Sequence, residues 1–500
     1  MLFTSFEFIF AFFPVVFAGF FVIARFIGRE AAAVWLAASS VFFYGWWSTT
    51  YVPLLLGSIL FNYTVGYITA RYRDSFTALA KSSLVVGVVG NLALLCFYKY
   101  TDFFLGEVSR ATGTHLPVLD LVLPLGISFF TFTQIAFLID AWRGKAKEYS
   151  FWHYLLFVTW FPHLIAGPIL HHGQMMPQFR DPEVYRVRSR NLAIGIFLFT
   201  VGLSKKLLLA DPISAYADPV FDAASAGEAI GFFIAWTGAL AYTIQIYFDF
   251  SGYSDMAVGL SIMFGIKLPI NFNSPYKAQN IIEFWRRWHM TLSQFLRDYL
   301  YIPLGGNRHG ETRRLANLML TMLLGGLWHG ANWTFVIWGA LHGGYLCINH
   351  LFQKMADKTR VGKCLPSSVS VPLSVLFTFS LVVIAWVFFR AEDLHAAVSI
   401  VSSMAGLQAD AAWASIFKSQ SAFLFIGYLL ASMVVIWCFP NVYEILDLLE
   451  NRLQVHGIEG HKVSSAVCIS SAIICVVLMG TSILSTFGTV SSSPFLYFQF

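Results

Sequence analysis

The chain has 500 residues, of which 57% are apolar, 17% aromatic and only 12% charged. Soluble globular domains carry about 25% charged residues, so this composition excludes an ordinary water-soluble protein and points to one that lives in lipid. The net charge of +5 follows the polar breaks between apolar stretches, and it needs no acidic partner such as nucleic acid to explain it.

Apolar runs able to cross a hydrocarbon core at about 1.5 Å per residue occur near residues 6–24, 31–47, 52–70, 82–98, 118–139, 191–210, 229–248, 315–330, 333–350, 369–389, 420–438 and 465–487. They predict an all-α polytopic membrane protein with about 11–13 transmembrane helices. The first run lacks the basic start and small-residue cleavage site of a signal peptide, so it reads as a retained first helix. Two more apolar stretches, 151–170 and 255–270, are rich in Gly, Pro, His and Asn and predict half-spanning or re-entrant pieces buried in protein. There is no internal repeat and no linker long enough to separate soluble domains. A single membrane domain over 1–500 is expected, with a core at 120–345 and peripheral helices at 1–119 and 365–490. The six cysteines, Cys96, Cys347, Cys364, Cys438, Cys468 and Cys475, are scattered mostly in apolar runs and form neither a metal motif nor a disulfide framework.

Basic residues cluster after the first, third and fifth runs (Arg25, Arg29; Arg71, Arg73, Lys81; Arg143, Lys145, Lys147) and again in 180–190, 267–314 and 354–363. The positive-inside rule places these segments in the cytoplasm and both termini outside. The scheme requires 151–170 not to cross fully, since both of its flanks are basic.

Ionisable groups at membrane depth are costly, which makes them functional-site candidates. YFDFSGYSDMA (Tyr247 to Ala257) holds Asp249 and Asp255 around Ser251-Gly252, a pair expected to break the helix. EFWRRWHMTLSQFLRDYLYIPLGGN (Glu283 to Asn307) places Phe284, Trp288, Leu292, Phe295 and Tyr299 on one side of a helical pattern, as an amphipathic interfacial helix would. That pattern leaves His289 unexplained. GGLWHGANWTFVIWGALHGG (Gly325 to Gly344) sets His329 between glycines that allow close approach. An imidazole is the side chain best suited to take a proton from a hydroxyl near neutral pH, and either histidine has this capacity; the competing reading is a satisfied interhelical hydrogen bond. No Ser or Cys nucleophile motif accompanies them, which favours direct transfer over a seryl intermediate. The spacings of 40 and 13 residues between His289, His329 and His342 match no compact metal motif, so no metal is expected. His163, His171 and His172 flank Gly167-Pro168 and read as structural or gating rather than as ligands. A transporter or flippase would also show broken helices and intramembrane Asp and His, but the chain lacks paired halves with matching interruptions; a non-catalytic scaffold is the third possibility.

These motifs in order, with LPINFNSPY (Leu268 to Tyr276), LPLGISFFTFTQIAFLIDAWRG (Leu123 to Gly144), FPHLIAGPI (Phe161 to Ile169) and GLSKKLLLAD (Gly202 to Asp211), resemble the membrane-bound O-acyltransferase (MBOAT) family, in the branch of bacterial alginate O-acetylation proteins. The resemblance covers roughly residues 1–390. It implies a ring of tilted helices around a central tunnel, with re-entrant and interfacial helices. It implies His329 as the active-site histidine and His289 as the second polar residue of the site. It further implies a multi-pass protein of the bacterial inner membrane that uses acetyl-CoA as donor, binds no permanent cofactor, and works with a periplasmic acetyltransferase-like partner and polysaccharide-export machinery. Alginate, cellulose, another exopolysaccharide and peptidoglycan stay open as acceptors, and D-alanyl transfer to a cell-envelope polymer is the alternative. Arg286, Arg287, Arg297 and Arg308 are candidates for the phosphates of coenzyme A; the competing reading is the positive-inside rule alone.

Overall fold

The computed structural model describes residues 1–146, 150–359, 366–408, 417, 421–455, 478, 480–481 and 495–496. It is all-helical, with no strand among the described residues. In hydrocarbon every backbone N–H and C=O must be satisfied within the segment, which a helix does and an open strand does not.

Among the described residues five helices are long and apolar enough to cross a membrane: Glu7–Phe26, Thr49–Tyr72, Thr77–Thr112, Ser189–Ser225 and Ser367–Arg390. The pair Ala422–Cys438 and Val442–Leu448 is apolar enough as well but bent by 45°, the form of a broken span or a re-entrant loop. Helices of more polar or shorter character occupy other stretches expected to cross, namely Arg29–Trp47, Ile127–Trp142, Phe232–Met263, Glu311–His329 and Trp333–Thr359. The run expected at 465–487 lies outside the described residues, apart from positions 478, 480 and 481.

Contacts divide the chain into two compact units, residues 1–200 with 253–270, and residues 201–252 with 271–500. In the first unit, α1 (Phe13–Phe26) packs on α2 (Arg29–Trp47) because Gly19 leaves room for the Trp35 ring, whose Nε1–H donates to Val16 O at 3.1 Å. α3 (Val52–Tyr72) and α4 (Thr77–Thr112) are joined by the buried amides of Asn62 and Asn91, 3.1 Å apart. The expected half-span takes the form of a nine-residue helix, Phe151–Thr159, followed by turns, with side chains 154–170 all buried. Its irregular backbone is held from outside. Ser40 Oγ accepts from Phe161 N–H at 3.2 Å, and Trp160 Nε1–H reaches Ser261 Oγ at 3.0 Å.

Residues 255–270 depart from expectation. Ser251-Gly252 does not break the chain; one helix runs from Phe232 to Met263. The glycines serve packing instead. A Cβ on Gly259 would lie 2.6 Å from Gly195 O, and one on Gly252 would lie 2.6 Å from Gly202 O, so the helix Ser189–Ser204 approaches at backbone distance in each unit.

In the second unit Lys206 is buried and bridges Asp211 at 2.8 Å and Asp249 at 2.6 Å. The other Asp249 oxygen accepts from Leu496 N–H at 3.0 Å. Burying a charge is tolerable only with such pairing. Helices Glu311–His329 and Trp333–Thr359 meet through glycines: a Cβ on Gly326 would collide with Phe335 O, and one on Gly339 with Met322 O. Gly326→Val is therefore expected to destabilise the protein by about 1–3 kcal/mol through overpacking, lowering its thermal midpoint in detergent. Gly344→Val, on the same helix pair but with open space around it, serves as the control, and equal midpoints for the two variants would refute the close approach.

Candidate active site

The amphipathic helix expected over 283–307 is interrupted at His289. One short helix covers Ile281–Arg287, a second covers Met290–Leu296, and His289 between them has φ 42° and ψ 55°. A left-handed backbone on a non-glycine residue is uncommon and costs energy, so it persists only where neighbours impose it. The constraint comes from the preceding segment. Asn273 N–H donates to Arg287 O at 3.0 Å, and Met290 N–H donates to Asn271 O at 3.0 Å, which ties the backbone down on both sides of the histidine.

The Asn271 side chain completes the clamp. Its Oδ1 accepts from Thr291 N–H at 3.3 Å and from Thr291 Oγ1–H at 2.7 Å, and lies 3.3 Å from His289 Nδ1. A backbone N–H can only donate, so the Asn271 atom facing it is the oxygen, and His289 Nδ1 must carry the hydrogen. Burial lowers the pKa of His289 to about 3, so the ring is neutral at physiological pH and its Nε2 is left as the basic nitrogen. The Phe250 ring meets the imidazole edge-on at 4.8 Å between centroids.

His329 closes the helix Glu311–His329 and is buried. The glycine after it has a packing purpose, since a Cβ on Gly330 would run into the Phe335 ring. Three aromatic rings surround the imidazole: Trp328 at 4.9 Å, Trp338 at 5.1 Å and Phe389 at 5.0 Å. Trp338 also touches His342, at 4.8 Å, so one indole separates two buried histidines. Trp285 Nε1–H donates to His342 Nδ1 at 3.3 Å. In a neutral imidazole this puts the hydrogen on Nε2, and neither that atom nor Trp338 Nε1 has a hydrogen-bond partner among the described residues.

Trp386 links the two arms of the site. It lies 4.9 Å from Trp288, the neighbour of His289, and 5.9 Å from Trp338. Its Nε1–H donates to Tyr276 Oη at 3.2 Å, whose hydroxyl in turn donates to Thr243 O at 2.8 Å. The structure thus brings His289, His329 and His342 onto one buried aromatic cluster. Asn271, Trp338, Trp386 and Phe389 belong to it as well. Sequence reasoning assigned them no role, because they come from separate segments and only the fold brings them together.

The four arginines divide into two kinds. Arg287 pairs with Glu283 at 2.7 Å, and Arg297 with Asp298 at 2.7 Å. Arg286 and Arg308 are exposed and carry no ion pair among the described residues. Asp249 is committed to Lys206. In the other unit Asp255 is buried, and His163 Nε2 is 2.9 Å from Phe157 O. Among the described residues no three His, Cys, Asp or Glu side chains converge as a metal-holding group.

Comparison with known proteins adds chemistry to this geometry. The model of the membrane-bound O-acyltransferase family matches residues 127–389. The chain is 45% identical over 433 residues to a peptidoglycan O-acetyltransferase of Helicobacter pylori, covering 81% of this chain and 80% of that protein. It is 38% identical to a probable alginate O-acetylase, AlgI, of Azotobacter vinelandii over the full length of both. A teichoic acid D-alanyltransferase of Bacillus subtilis is 30% identical over 56% of this chain and 72% of its own.

Asn271→Ala removes the acceptor for Thr291 and His289 and is expected to cost about 1–3 kcal/mol, the range for a buried donor left unsatisfied. Denaturant unfolding in detergent measures it, with Thr291→Val as the smaller perturbation. Wild-type stability in Asn271→Ala would mean that the left-handed turn is held by other contacts.

Proposed function

Since the chain belongs to the membrane-bound O-acyltransferase family and is a multi-pass membrane acyltransferase, we propose that it moves acetyl groups from cytoplasmic acetyl-CoA toward hydroxyls of an exported cell-envelope polysaccharide. It acts in the bacterial inner membrane, with a periplasmic partner completing delivery to the polymer. The observation that carries this reading is the convergence of His289, His329 and His342 on one buried aromatic cluster. The O-acetyl chemistry in the names of the Helicobacter and Azotobacter relatives supports acetyl over D-alanyl transfer, because the D-alanyltransferase similarity is weaker and shorter.

In the proposed step His329 takes the proton of the acceptor hydroxyl as its oxygen bonds to the thioester carbonyl carbon. The carbon–sulfur bond breaks, and the imidazolium returns the proton to the leaving thiolate, giving the ester and free coenzyme A. His289 presents a basic Nε2 and no hydrogen there, so its role is to accept from and orient the hydroxyl rather than to stabilise developing negative charge. That stabilisation needs donors, and His342 Nε2–H and Trp338 Nε1–H are two buried donors of the cluster with no hydrogen-bond partner among the described residues. Arg286 and Arg308 are the arginines with charge to spare for the phosphates of coenzyme A.

Two experiments test this. In a deletion strain complemented with wild type, His329→Ala or His289→Ala at equal membrane levels, only wild type is expected to restore bound acetate on the host's envelope polysaccharide; normal acetate with His329→Ala would sink the assignment. With purified protein, Trp338→Phe keeps an aromatic ring but removes a donor. It should lower kcat by about 10²-fold, the scale of one lost oxyanion donor, with KM little changed, whereas an unaltered kcat would remove Trp338 from the mechanism.

A further inference from the structure

Within the unit formed by residues 1–200 and 253–270, a cavity of about 510 Å³ opens beside the C-terminal end of the first candidate span, and Arg25, Arg29 and Arg186 line it. We propose that it is a binding site for the phosphate headgroup of an anionic membrane phospholipid.

The charge balance is the first argument. No carboxylate lines the cavity, and Arg25 and Arg29 have no ion pair among the described residues. Two acids lie nearby: Glu30 faces His153 Nε2 at 3.3 Å, and Glu183 takes hydrogen bonds from both Arg186, at 3.1 Å, and Arg188, so the charge of Arg186 is partly met while Arg25 and Arg29 keep theirs. The like charges of Arg25 and Arg29 on one hollow repel unless an anion sits beside them, and guanidinium groups match phosphate oxygens in a bidentate way.

Preorganisation is the second. Arg29 lies over the Tyr185 ring at 5.7 Å, and that ring packs against Phe20 at 5.4 Å while its hydroxyl donates to Phe179 O at 2.9 Å. A guanidinium held by a fixed ring loses less entropy on binding than a free one.

The surroundings choose the source of the phosphate. Phe21 and Val187 form apolar walls, and Val22, Phe26 and Ile27 beside them are 53%, 77% and 73% exposed at the end of a membrane span. A ligand with an anionic head and an apolar body fits such a boundary, whereas a fully water-soluble phosphate leaves the apolar part unused. A basic cluster at a membrane surface adds affinity for anionic lipid with each residue. The positive-inside rule explains basic residues at this end of the helix, but not their gathering, from two separate chain segments, around one cavity.

The test uses the full-length chain purified in detergent, with native mass spectrometry counting bound phosphatidylglycerol against phosphatidylcholine. The triple variant Arg25→Gln/Arg29→Gln/Arg186→Gln is expected to bind phosphatidylglycerol on the order of a hundredfold more weakly. Val187→Asp, an exposed position, should weaken it by placing a carboxylate in the lining. A control triple, Arg71→Gln/Lys81→Gln/Lys145→Gln, should bind as wild type. Undiminished lipid binding by both the first triple and Val187→Asp would overturn the proposal, as would an equal loss in the control, which would mean general charge attraction. Displacement of the lipid by adenosine 3′,5′-bisphosphate would overturn the lipid assignment in favour of a nucleotide end of the acyl donor. None of these readouts depends on acyl transfer, so the proposed function stands or falls separately.

Discussion

A polar group inside a membrane protein has no bulk water to fall back on, so each one must be partnered by the protein or by a ligand. Several contacts in the chain's interior answer this requirement. Lys206 is stable in the interior because Asp211 and Asp249 flank it. Asn62 and Asn91 satisfy each other across two helices. The irregular stretch after Thr159 survives because Ser40 and Ser261 take part in its hydrogen bonding.

Packing supplies what hydrophobicity cannot. Lipid tails are as apolar as leucine, so helices associate through close van der Waals contact and polar pairing rather than through escape from water. Gly195 with Gly259, and Gly326 with Gly339, allow backbones to touch. Around the histidines the filler is aromatic: Trp285, Trp288, Trp338, Trp386 and Phe389 form a continuous run of ring contacts. Rigid rings with few torsions fix the imidazoles at little entropic cost, the preorganisation that the proposed transfer site would need.

The clamp on His289 shows how a site is assembled under these rules. A residue in a left-handed conformation is held by backbone bonds on both flanks, and the same asparagine that holds it fixes which ring nitrogen bears the hydrogen. Geometry and protonation state are thus set by one interaction. His342 is fixed in the opposite tautomer by Trp285. Two neutral imidazoles with opposite polarity, one accepting and one donating, therefore belong to the same cluster.

The sequence by itself determined the all-α membrane class, the family and the two histidines chosen as catalytic candidates, because apolar run length and ordered motifs are local properties that survive without a fold. It also located the buried, irregular stretch after Phe151 from its own composition. The fate of Ser251-Gly252 was not legible, since a glycine that breaks a helix and one that admits a neighbour look alike until the neighbour is known. The interruption at His289 was hidden for a similar reason: the helical period continues through it, and the left-handed turn is imposed by Asn271 and Asn273, well upstream in the chain. The pairing of Arg287 and Arg297, the partnership of Trp338 with two histidines and the gathering of Arg25, Arg29 and Arg186 around one cavity were decided only in three dimensions. Each depends on distances between segments far apart in sequence, which neither composition nor periodicity encodes.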